Sequence, residues 1–160
     1  MWPSFAFLSK AALEFMRITG KQPEVIHCHD WQTAAVPVLL YEIYQHIGMP
    51  DQRVCHTIHN LARHGICGDY VLWATSLTRP EHFFDDDRLR DNFNHGALNR
   101  MKGGIVYSNL ITTVSPQQAC EVTYSDQGMG PGPTLYIHRE KSGGVLNGID
   151  REVWSRRSTS

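Results

Sequence analysis

The sequence predicts an α/β fold, a parallel Rossmann-like sheet with helices on both faces, and three observations predict it. Short apolar runs stop abruptly at polar residues, in Val25-Ile26-His27-Cys28-His29-Asp30 and again in Cys55-His56-Thr57-Ile58-His59-Asn60. A buried parallel strand presents side chains in this way to a crevice at the carboxyl edge of its sheet. Between such runs lie segments whose apolar residues recur every three to four positions. Strand and helix then alternate as β-α-β followed by α-β-α-β, which calls for a parallel sheet with crossover connections.

The elements follow in order. Phe5 to Ile18 carries apolar residues at Phe5, Leu8, Ala12 and Phe15, and at Leu13 and Met16, the spacing of a helix with a wide buried stripe. Gly20 provides its C′ residue. A doubly wound unit would have a strand before this helix, so the chain reads as starting part-way through a larger unit. Pro23 introduces a strand over Val25 to Cys28, and Val36, Leu39, Leu40, Ile43 and Ile47 mark the next helix, closed by Gly48. Pro37 should kink its first turns unless the regular helix starts only near Thr33. The second strand is Arg53 to Ile58.

From His64 to Asn94 the periodicity is lost. Gly65, Gly68, Pro80 and Asp85-Asp86-Asp87 interrupt it, while Trp73, Phe83, Phe84 and Phe93 are isolated apolar anchors. So long a connection is either a loop over a site or a surface excursion held down by its aromatics. Asn94 to Tyr107 reads as a helix with Leu98, Met101, Ile105 and Val106 inward. Leu110 to Val114 is a short β-branched strand, and Ser115-Pro116 supplies the N-cap and N1 of a helix reaching Tyr124. Ser125 to Pro133 is a turn-rich loop, Thr134 to Lys141 a short helix, and Gly143 to Leu146 a last buried strand running into Asn147-Gly148-Ile149-Asp150. Residues 1–154 form one unit, and Ser155 to Ser160 reads as a frayed polar tail.

Composition narrows the function. With 15 basic and 16 acidic residues the chain has no net field to attract nucleic acid or an anionic membrane. No apolar run approaches the roughly 20 residues that span a bilayer. Two of the four cysteines lie inside strands, and no leader with an apolar h-region is present, so reduced thiols in the cytoplasm are expected. His27, His29, His56, His59, His64 and Cys67 fall near one another, yet they lack the two tight ligand pairs of a structural zinc site. No metal and no cofactor are expected.

The residues at the strand ends are the site candidates. Asp30 can accept a hydroxyl at the mouth of the crevice or cap the helix it precedes. His29 stands nearer the crevice than His27, which supports the sheet edge. His59 and Asn60 occupy the second strand's edge, where an Asn is by type a turn residue.

His27-Cys28-His29-Asp30-Trp31-Gln32-Thr33-Ala34, Thr57-Ile58-His59-Asn60-Leu61, Met101-Lys102-Gly103-Gly104-Ile105, Thr112-Thr113-Val114-Ser115-Pro116 and Gly144-Val145-Leu146-Asn147-Gly148-Ile149-Asp150 occur in the order seen in bacterial glycogen and plant starch synthases. The chain resembles these enzymes, the ADP-glucose type of glycosyltransferase family 5, across most of residues 5–154. Leu72-Trp73-Ala74-Thr75 and Arg88-Leu89-Arg90-Asp91-Asn92-Phe93 are similar to the cyanobacterial version.

The resemblance implies a glycosyltransferase-B fold, of which this chain is the later part of the amino-terminal, acceptor-side domain. The family's opening Lys-x-Gly-Gly strand would lie before Met1, and the nucleotide-binding domain after Ser160. It implies retaining transfer of glucose from ADP-glucose to the non-reducing end of an α-1,4-glucan, without a metal, in the cytoplasm or, in a plant, the plastid stroma. By position, it makes His59 and Asp30 the catalytic pair, with Asn60, Asn147 and His29 as substrate contacts. His59 would touch the donor glucose and Asp30 a sugar hydroxyl. Lys102 and Gly103-Gly104 read as packing, and Trp31 and Trp73 as core or loop anchors. The piece alone is expected to be inactive and marginally stable. The alternative is a non-enzymatic glucan-binding half-domain, or a component that pairs with a separately encoded remainder.

Overall fold

A computed structural model of the chain describes residues 2–124 and 128–150. The tail Ser155 to Ser160 and part of the loop from Ser125 to Pro133 lie outside the described residues. In chain order the elements are α1 (Trp2–Ile18), β1 (Val25–His29), α2 (Asp30–Thr33), α3 (Ala35–Glu42), a 3-10 turn (Tyr44–His46), β2 (Arg53–Ile58), β3 (Ile66–Cys67), α4 (Tyr70–Ala74), α5 (Pro80–Phe83), β4 (Leu98–Asn99), α6 (Arg100–Tyr107), β5 (Leu110–Thr113), α7 (Pro116–Tyr124), α8 (Gly132–Ile137), a second 3-10 turn (Arg139–Lys141) and β6 (Ser142–Gly144). The main sheet is parallel throughout, in the order β1-β2-β5-β6, and β3 and β4 form a small antiparallel pair.

Strand alternation gives the sheet two unlike faces. Cys28, Val54, His56, Ile58 and Ile111 are buried on one, all but His56 in two apolar clusters that include residues of α1, α3, α6 and α7. On the other, His27, Cys55, Thr57, Leu110 and Thr112 line an open groove of about 380 Å³. The parallel sheet is as expected.

Several elements differ from the reading of the sequence. Helix α1 buries Ala6, Ser9 and Leu13, with Met16 half-buried, whereas Leu8 and Phe15 remain more than half exposed. Apolar residues lie all round this helix, so its pattern defines no single stripe. The small Ala6 and Ser9 permit close approach, and the Ser9 hydroxyl returns its hydrogen bond to the Phe5 carbonyl at 2.9 Å. The next helix is broken at Ala34 into α2 and α3. Pro37 is the third residue of α3, where its missing N–H loses no intrahelical bond, and the break at Ala34 falls just before it. Gly20 (φ 68°) and Gly48 (φ 123°) take the left-handed region where the chain leaves its helices.

The segment from His64 to Asn94 is not a bare loop, and of its expected aromatic anchors Phe83 is buried and Phe84 packs partly buried on the core, whereas Trp73 and Phe93 do not. Val71, Leu72, Leu77, Phe83 and Leu89 carry the burial, while Trp73 and Phe93 are 60% and 73% exposed. Turning Val71 and Leu72 inward on so short a helix swings Trp73 outward. A polar knot fastens the segment: Glu42 Oε1 accepts from Tyr107 Oη (2.5 Å), Arg88 Nη1 (3.1 Å) and His82 Nε2 (3.1 Å). Glu42→Gln is expected to cost about 2 kcal/mol, read as a shift of the urea midpoint at unchanged slope, because charge-assisted bonds to a largely buried carboxylate are lost.

Helix α6 starts at Arg100, not Asn94. The Asp91 carboxylate accepts from the Phe93 and Asn94 amides and, at 2.8 Å, from Asn99 Nδ2, which holds the preceding residues in a turn. Asn99 then caps the helix by accepting from the Lys102 amide at 3.0 Å. Strand β6 ends at Gly144, and Val145 and Leu146 are exposed, so the last strand is shorter and less buried than its apolar run suggested. Ser115 caps α7 as expected, its hydroxyl accepting from the Gln118 amide at 3.0 Å.

Candidate active site

The site forms where β1 and β2 end side by side, with His29 in register with Thr57. Asp30 leaves the strand at φ 51°, in the left-handed region that Asp tolerates better than most residues. That reversal sends its carboxylate sideways. Oδ1 accepts the backbone N–H of His59 at 2.7 Å and of Asn60 at 3.2 Å. Asp30 therefore does not cap its own helix. It caps the end of the neighbouring strand and fixes the backbone that carries His59.

The imidazoles meet above this clamp. His29 Nδ1 and His59 Nε2 are 3.1 Å apart with the rings stacked, and the His27 and His29 rings lie 4.3 Å apart. A hydrogen bond between two imidazoles needs one ring nitrogen to donate and the other to accept, so at least one ring is neutral. Partial burial, then the neighbouring His27 and His59, hold the His29 pKa below its ordinary value against the pull of Asp30. His27 Nε2 continues the network to Thr57 Oγ1 (2.7 Å) and on to Thr112 Oγ1 (2.6 Å), a polar line across three strands. Neither threonine was singled out from the sequence, although the period of two places both on the same face as His27.

Asn147 lines the same groove as His27, His29 and His59. Asn60 behaves as a turn residue, its Oδ1 accepting from the Ala62 amide at 2.8 Å, at the edge of a separate hollow of about 210 Å³ beside His59 and Gln118. Lys102 is remote from the groove: it is 3% exposed and donates to Asn92 Oδ1 at 2.9 Å. Gly103 and Gly104 are packing residues, since a Cβ on Gly103 would meet Leu89 at 3.0 Å and one on Gly104 would meet His56 Cε1 at 2.6 Å. Trp31 is buried, its ring edge-on to Phe5.

His56 does not join the histidine cluster. It faces the helices, fully buried, with neither ring nitrogen hydrogen-bonded, and burial pushes its pKa down to about 4. Among the described residues no three His, Cys, Asp or Glu side chains gather as metal ligands, and no helix is long and apolar enough to cross a membrane.

A parallel sheet in this order, with polar groups gathered at its carboxyl edge beside an open groove, defines a Rossmann-like α/β unit with a candidate binding cleft. The chain belongs to the starch synthase catalytic domain family, whose match covers residues 2–136. It is 60% identical over 151 residues to the probable glycogen synthase 2 of Nostoc sp. and 60% identical to glycogen synthase 2 of Methylococcus capsulatus, covering 94% of this chain in each case. It spans 31% of the length of those relatives. The solved catalytic domain of starch synthase IV from Arabidopsis thaliana, bound to ADP and acarbose, superimposes with a TM-score of 0.88 at 39% identity, over 97% of this chain and 31% of that one.

Proposed function

We propose that this chain is the acceptor-side wall of a glycogen synthase, a retaining transferase that moves glucose from ADP-glucose to the non-reducing end of an α-1,4-glucan. The observation that carries this reading is the clamp of Asp30 on the His59 and Asn60 amides, which presents the His59 imidazole at a sheet edge beside an open groove. Residues 1–154 act as part of the amino-terminal domain, and the groups that hold the diphosphate belong to the remainder of a longer protein.

In this reading the His59 ring donates to a hydroxyl of the donor glucose, and the nearby backbone carbonyl favours positive charge developing at the anomeric carbon. Asp30 Oδ1 keeps that residue in place, and its second oxygen, which bonds no described residue, accepts a sugar hydroxyl. His29 sets the His59 tautomer through their shared hydrogen bond. Asn147, and with it Asn60, reads further hydroxyls. No metal or cofactor takes part. The working compartment is the cytoplasm, or the plastid stroma in a plant.

The test uses the intact synthase that contains this chain. Asp30→Ala and His59→Ala should each lower kcat about 100-fold, some 2.7 kcal/mol of transition-state stabilisation, while the unfolding midpoint of His59→Ala stays within about 1 kcal/mol of the parent. Full activity in His59→Ala would sink the reading. Residues 1–160 alone should elongate no glucan with ADP-glucose. Calorimetric heat from maltooligosaccharides, with no loss of activity in either variant, would favour a glucan-binding half-domain instead.

A further inference from the structure

Two hydroxyls continue the groove face where its central strands are otherwise apolar. Cys55 on β2 pairs with Leu110 on β5, and two residues further along the same face Thr57 pairs with Thr112. Thr57 is 9% exposed, and its Oγ1 is bonded on both sides, at 2.7 Å to His27 Nε2 and at 2.6 Å to Thr112 Oγ1. A hydroxyl carries one hydrogen, so Thr57 donates to one of these neighbours and accepts from the other. An imidazole held in this way at Nε2 cannot turn about its side-chain bonds without giving up a short hydrogen bond.

His27 is the footing of the other two rings. Its ring centre lies 4.3 Å from that of His29, and His29 Nδ1 reaches His59 Nε2 at 3.1 Å. Both His29 and His59 are exposed at strand ends, where a side chain has several rotamers open to it. Among the described residues their rings share this one hydrogen bond and have no other. Asp30 clamps the His59 backbone but does not hold its ring. The direction of the His59 ring therefore rests on His29, that of His29 on His27, and that of His27 on the two threonines.

We propose that Thr57 and Thr112 are positioning residues for glucosyl transfer, which hold the His59 imidazole, through His27 and His29, in the direction in which it meets the sugar. The inference rests on the reading of His59 as a contact of the donor glucose. Neither threonine touches the reacting atoms. Their hydroxyls act from the middle of the sheet, Thr112 two strands away from His29, because the line of bonds crosses β5, β2 and β1 in turn. A pair that merely stiffened the sheet would leave the direction of the His59 ring unchanged when its hydroxyls were removed.

The experiment uses the intact synthase that contains this chain, with Thr57→Val, Thr57→Ser and Thr112→Val. Valine keeps the branched shape of threonine without the hydroxyl, and serine keeps the hydroxyl. Thr57→Val should lower kcat about 10-fold with the KM for ADP-glucose within about 2-fold of the parent, and Thr57→Ser should recover most of the loss. Thr112→Val, one bond further out, should lower kcat about 3-fold. Nitrogen NMR of the histidine-labelled enzyme reads the arrangement itself: Thr57→Val should move the ring-nitrogen signals of His29 and His59 as well as those of His27. A parent-like kcat in Thr57→Val, a serine variant as slow as the valine one, or His29 and His59 signals that stay in place overturns the proposal. If Thr57→Val does not fold, Thr112→Val carries the same two readouts. Failure of the transfer reading is told apart by His59→Ala: full activity there sinks that reading, while the ring signals still decide whether the threonines position His59.

Discussion

Gly144→Ala is expected to abolish stable folding, whereas Gly143→Ala, one residue earlier in the same strand, should be nearly silent. A Cβ on Gly144 would fall inside the van der Waals envelope of the Ser115 carbonyl and the Pro116 nitrogen, all of it backbone. None of those atoms can retreat, because Ser115 and Pro116 form the capped first turn of α7 and the proline ring fixes its own φ. Relief requires β6 to leave β5 or α7 to unwind. We expect a loss of about 4 kcal/mol or more, near the upper end of what one overpacked site costs. A Cβ on Gly143 meets nothing within 4 Å, so its replacement should stay within about 1 kcal/mol of the parent. Urea unfolding followed by tryptophan fluorescence separates the two. A Gly144→Ala protein with the parent's midpoint would mean that β6 does not dock against α7 as described.

The second large effect is loss of stability in mild acid through His56. Its folded pKa is pushed down to about 4 by burial, against an ordinary value of 6.5. Between those values the unfolded chain binds a proton that the folded protein refuses. The contribution is therefore fully present above pH 6.5 and is withdrawn as pH falls toward 4, where it amounts to about 3 kcal/mol. His29, its pKa also lowered, adds in the same direction. His56→Leu removes the titrating ring and its two unsatisfied nitrogens at similar volume, so it should flatten the acid limb and leave neutral stability equal or higher. Identical acid limbs in parent and variant would refute the assignment.

The strands were legible because a buried parallel strand writes itself as an apolar run that stops at polar residues. That signal located β1, β2 and β5, and with them His29, Asp30 and His59 at one sheet edge. The breaks at Gly20 and Gly48 and the Ser115-Pro116 start of α7 were legible for a local reason, since each rests on backbone geometry that few residues supply. The inward face of α1 was not legible: apolar residues lie all round that helix, and only its packing against α2, α3 and α4 selects Ala6, Ser9 and Leu13. Nor was the outward turn of Trp73 and Phe93, because large apolar residues are ordinarily buried and nothing local marks an exception.

By itself the sequence determined the α/β class, the parallel sheet, the family and the set of polar residues at the strand ends, all properties of short-range pattern and residue type. The tertiary structure decided what those residues do to one another. The Asp30 carboxylate reaches the His59 and Asn60 amides because two strands distant in the chain end in register and the backbone reverses at a positive φ. His56 turns away from its fellow histidines because a pleat alternates. Each depends on the relative placement of elements, which no local pattern encodes.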